Sequence, residues 1–204
     1  MFDFKVATCA LGVLYVWALP LLARVGFAQR GATTVSAFIA NPPATGAMAA
    51  LSFTSLTLMW EYQDLIVKVR AANATWVYHS LARSLAAFQT MYGAFLVCTQ
   101  GYAPAWLHAA TVVAFCASFL AHAGTIAIVV QPSRLARGLL ATGMFSCAML
   151  IGFMLARAFT LWFWFFECVG LSTIFLFTPF EWMLITRARA RAVDDASHAA
   201  YAPL

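Results

Sequence analysis

Apolar residues run along this chain in six long blocks, and polar residues gather at the joints between them. The blocks extend from Phe4 to Leu22, Ala44 to Trp60, Trp76 to Cys98, Pro104 to Val130, Leu135 to Met154 and Thr160 to Ile185. At about 1.5 Å of rise per residue, helices of these lengths match a hydrocarbon layer about 30 Å thick. A backbone inside that layer has no water to bond with, so it must satisfy its own hydrogen bonds. The pattern therefore predicts an all-α protein, a polytopic membrane bundle of six transmembrane helices. It leaves room for one domain over residues 1–204. One loop, about 23–43, has length and character of its own. Its Asn41-Pro42-Pro43 stops any helix and stiffens the entry to the second span. The short tail, about 186–204, reads as small and polar, and frayed beyond Arg191.

Composition agrees. Hydrophobic residues make up 64% of the chain and charged residues 9%, too few to cover a soluble surface. The first block is long for a signal peptide and is read as a retained helix. The net charge of +5 is taken as a record of loop topology rather than of nucleic-acid binding. Cys9, Cys98, Cys116, Cys147 and Cys168 lie within or at the ends of apolar blocks. None has the spacing of a zinc site, so they read as small core residues.

Basic residues give the orientation. With a cytoplasmic N-terminus, that side holds Lys5, Lys68, Arg70, Arg134, Arg137, Arg187, Arg189 and Arg191, and the other holds Arg24, Arg30 and Arg157. Eight against three places both N- and C-termini in the cytoplasm. Trp60, Tyr62, Trp76, Tyr78 and Trp182 then form an inner aromatic belt, and Trp17, Tyr102, Trp106, Trp162 and Trp164 an outer one. The glycosylation pattern Asn73-Ala74-Thr75 falls in a cytoplasmic loop against the membrane, where no sugar is expected.

Ionisable residues at membrane depth are costly, and each raises a functional question. His108, about one turn below the outer surface, and Glu167, about two turns below it, can meet in the outer half. They could form a polar contact between helices, or a pocket under the first loop in which a histidine beside a carboxylate acts as a base or binds a lipid head group. Arg83 and Glu181 belong to the inner half and are expected to form a buried ion pair that fixes helix packing. His79 lies near the inner surface and His122 deeper. Catalytic residues are not assigned. A retinal Schiff base is excluded, since Lys5 and Lys68 are the only lysines and neither lies in the last helix. His79 and His122 differ in depth by a turn or more, which argues against axial haem ligands. No metal site and no cofactor are expected.

The loop segment Thr34-Val35-Ser36-Ala37-Phe38-Ile39-Ala40-Asn41-Pro42-Pro43 resembles the Frag/DRAM/Sfk family of six-span membrane proteins. It is most similar to the branch acting in GPI-anchor lipid remodelling, with an Asn-Pro-Pro nearer to the DRAM branch. Further similarities lie at His108, at Arg134-Leu135-Ala136-Arg137, and at Glu167 with Ser172-Thr173-Ile174-Phe175. The resemblance implies cytosolic termini and lipid handling in the lumenal or outer leaflet. Ser36, Asn41, His108 and Glu167 are then the head-group candidates, with membrane lipids as partners. The location implied is an endomembrane (Golgi, ER or lysosome) or the plasma membrane. The other class left open is a non-catalytic transmembrane subunit packed among other membrane proteins.

Overall fold

The computed structural model describes residues 4–70, 75–99, 103–130, 132–158 and 160–200, with side chains omitted at 67, 69, 70, 184 and 187–200. Asn73 of the glycosylation pattern and Tyr102 lie outside these residues, as do the side chains of Arg70, Arg187, Arg189 and Arg191. Among the described residues the chain is all-α, with seven helices. They are α1 (Phe4–Arg24), α2 (Val35–Phe38), α3 (Pro42–Arg70), α4 (Thr75–Cys98), α5 (Ala105–Val129), α6 (Arg134–Leu155) and α7 (Leu161–Ala200). Five of them, α1, α4, α5, α6 and the Leu161–Met183 stretch of α7, are long and apolar enough to cross a membrane.

The long helices alternate in direction. Lys5 at the start of α1 is ion-paired with Glu61 late in α3. Ser52 of α3 shares a hydrogen bond with Tyr92 of α4. Ser84 of α4 meets His122 of α5 at 2.9 Å. These contacts sort the helix ends into two groups. The end of α1, the loop 25–41, the start of α3, the end of α4, the start of α5, the end of α6 and the start of α7 gather at one end of the bundle, called here the loop end. The start of α1, the end of α3, the start of α4, the end of α5 and the start of α6 gather at the other, the terminal end.

Each helix buries one face at three- and four-residue spacing, as an amphipathic stripe requires. On α4 that face is Val77, Leu81, Leu85, Phe88, Tyr92 and Phe95. Helix α7 packs against α1, α3 and α6. Its contact with α1 depends on Gly12, where a Cβ would stand 2.6 Å from the Phe175 ring.

Three expectations about the elements are corrected. The second helix does not stop at Trp60 but continues for three more turns to Arg70, because Tyr62, Gln63 and Ile66 still face the bundle. Tyr62 is therefore not in an aromatic belt. It is buried, edge-on to Phe177. The tail is helical through Ala200, where Ala and Arg, both strong helix formers, dominate Arg187–Ala192.

Candidate functional site

The loop between α1 and α3 is folded by its own polar groups. Gly26 and Gly31 take positive φ angles of 81° and 73°, which glycine adopts without a Cβ clash. The Thr34 hydroxyl caps α2 by accepting the Ala37 N–H at 3.1 Å, and it lies 3.1 Å from the Ser36 hydroxyl. Asn41 donates its side-chain amide to the Phe27 carbonyl at 3.0 Å. Its own carbonyl accepts the N–H groups of Ala44 and Thr45 at the start of α3. Pro42 and Pro43 occupy the first turn, where a helix N–H has no intrahelical partner to lose.

Glu167 fastens this loop to the bundle. It is 6% exposed on α7. Its carboxylate accepts the Val35 N–H at 2.6 Å, with the Ser36 N–H at 3.5 Å on the other oxygen. These are donors that the start of α2 cannot satisfy within itself. A carboxylate there also suits the positive end of the peptide dipoles.

Beside this anchor lies an open cleft of about 360 Å³. Thr34 and Ser36 form its loop wall, Thr99 and His108 its far wall, and Met154 and Phe163 its apolar floor. His108 is half-buried, its ring 6.2 Å from that of Phe95, and its Nδ1 has no hydrogen-bond partner among the described residues. The cleft thus joins hydroxyls and an imidazole to an apolar surface, an arrangement that suits an amphiphile.

Of the residues singled out from sequence, Ser36 and His108 line this cleft together. Glu167 and Asn41 do not. The first is occupied by the backbone of α2, the second by the carbonyls of Phe27 and Gly26. Thr34 and Thr99 were not singled out, although Thr34 before Val35-Ser36-Ala37 carries the signature of a helix cap.

Arg83 and Glu181 are not brought together. Arg83 is exposed, on the face of α4 opposite Leu81 and Leu85. Its long stem lets the guanidinium reach toward the membrane surface. Glu181 is fully buried on α7 and accepts the Ser133 N–H at 3.2 Å and the Ser133 hydroxyl hydrogen. Ser133 in turn caps α6 by accepting the Ala136 N–H at 3.2 Å. His79 is exposed beside Tyr78, while His122 is buried against Phe88. Among the described residues, no group of three or more His, Cys, Asp or Glu could hold a metal ion.

An all-α chain with five apolar helices of spanning length has the architecture of an integral, multi-pass membrane protein. No family model, curated protein or solved structure matches it.

Proposed function

We propose that this chain is a six-span membrane protein that receives a lipid in the leaflet at its loop end, with α3 as the sixth crossing and both termini cytoplasmic. The cleft carries the reading. Its polar walls, Thr34, Ser36, Thr99 and His108, suit a head group, and Met154 and Phe163 suit the start of an acyl chain. Glu167 and Asn41 act here as positioning residues that hold the loop wall in place. Arg24, Arg30 and Arg157 belong to the same end, and guanidinium groups there favour an anionic phosphate. The resemblance of Thr34–Pro43 to the Frag/DRAM/Sfk family, and to its GPI-anchor remodelling branch, supports lipid handling in an outer or lumenal leaflet.

The test is photo-crosslinking in nanodiscs with a phospholipid bearing an azide on its head group. Crosslinks concentrated in Thr34–Ala37 and Ala103–Ala109 are expected. His108→Gln should reduce them about tenfold, the effect of losing roughly 1.4 kcal/mol of binding. Crosslinks spread evenly over the protein, or unchanged in His108→Gln, would reject the site. A second arm asks whether the chain restores surface GPI-anchored proteins in cells lacking the related remodelling factor. Crosslinking without restoration would keep the lipid site and reject that branch.

A further inference from the structure

Near the terminal end, five helices close around a second, much smaller space. It measures about 20 Å³, and its lining includes Tyr62 and Gln63 of α3, His122 of α5 and Thr178 of α7. Gln63 is 3% exposed and Thr178 0%. Neither Gln63 Oε1 nor Nε2, nor Thr178 Oγ1, has a hydrogen-bond partner among the described residues. A primary amide carries two donors and a two-lone-pair acceptor, and a hydroxyl adds one more donor. Leaving such groups dry inside a protein is strongly unfavourable, and native structures satisfy nearly all of them. His122 is 5% exposed, and its Nδ1 lies 2.9 Å from the Ser84 hydroxyl. Nε2 is the ring nitrogen left for the cavity.

Size and chemistry together limit the occupant. A volume of about 20 Å³ exceeds the ~10–15 Å³ that one water needs, yet admits nothing much larger. The occupant must both donate and accept, since Gln63 offers both and Thr178 can serve as either. Phe119, Ile126, Leu140 and Phe177 are among the apolar residues that make up most of the remaining wall. We propose that this cavity is a built hydration site, holding one or two ordered waters between Gln63, Thr178 and His122.

The site also has a source of water. The exposed charges Asp64 and Lys68 follow Gln63 on α3, so the cavity lies close beneath the terminal-end surface. The waters would tie α3, α5 and α7 together at this level.

The experiment is an experimental structure of the full chain in nanodiscs at a resolution that shows ordered water. Density at hydrogen-bond distance, about 3 Å, from both Gln63 and Thr178 is expected. An empty cavity, continuous acyl-chain density, or a direct Gln63–Thr178 bond that closes the space would each overturn the proposal. Thermal unfolding of Gln63→Met and Thr178→Val gives an independent reading. If water is held there, each change removes a partner from it, and Tm should fall by about 2–4 °C. If the polar groups were simply dry, replacing them by apolar ones would leave Tm unchanged or raise it. That outcome would also overturn the proposal.

Discussion

Glu167 bonds to the backbone of a segment more than 130 positions away, and no side-chain pairing scheme could have found it. Its burial beneath the loop makes the loss of the carboxylate costly. Glu167→Ala should destabilise by about 1–3 kcal/mol, because two buried N–H groups lose their acceptor. Glu167→Gln keeps one acceptor oxygen and should cost less. Thermal unfolding of both variants, together with proteolysis within the loop, measures this. Equal stability of Glu167→Ala and the parent would remove the anchoring role. Arg157 makes a contrasting case. It sits at φ 52° just after α6, where its N–H bonds Met154 and that of Ala158 bonds Phe153. This is the left-handed helix ending that glycine favours. Arg157→Gly should therefore stabilise by about 1 kcal/mol while weakening any phosphate contact. A drop in Tm would contradict it. Sequence reading brought out His108 and Ser36 because ionisable and hydroxyl groups stand out in an apolar chain. The partners of Glu167, Asn41 and Arg83 were not legible there, because the partner of a polar group is set by tertiary placement. Arg83 lies on the outward face of its helix, whereas Glu181 is fully buried.

At the level of elements the helices were largely legible, and the errors fall where hydropathy stops carrying information. The fourth apolar block and α5 differ by one residue at each end (Pro104–Val130 against Ala105–Val129), since helix and lipid-matched stretch end together there. Helix α3 is harder to read. Its buried face alternates Met48, Leu58 and Ile66 with Thr45, Ser52, Ser55 and Gln63, so it is apolar in place but not in composition. Its last turns carry Asp64 and Lys68 outward, with Glu61 half-buried beside Lys5, which mimics a loop. The short α2 was hidden inside a segment whose prolines and glycines read as irregular. Close approach of elements leaves its own mark. Gly12→Ala would place a methyl against Phe175, itself 2% exposed and unable to swing away. A loss of about 1–3 kcal/mol is expected from such overpacking. Gly46→Ala, with nothing within 4 Å, serves as the control. Similar melting of the two variants would show that α1 and α7 are not tightly apposed.

For the molecule as a whole, the number of crossings decides which connections share a compartment. In a cysteine-free background, Thr33→Cys and Ser197→Cys should label from opposite sides of the membrane. If α3 failed to cross, four crossings would separate the two positions instead of five, and both would label from one side. That result would end the six-span reading. One helix bears on both faces of the bundle. At the loop end α7 holds the start of α2 through Glu167, and at the terminal end it holds the start of α6 through Ser133 and Glu181. These two attachments oppose each other along the helix axis. A piston-like stroke of α7 by a single turn, about 5.4 Å, would tear out both at once. The bundle is thus braced against axial thrust, and any working motion must proceed by tilting or by rolling α4 and α5, whose outer faces are clasped by nothing comparable among the described residues. Spin-label distances from α7 to the loop should therefore stay fixed across lipid conditions, while those from α4 to α7 are the ones free to vary.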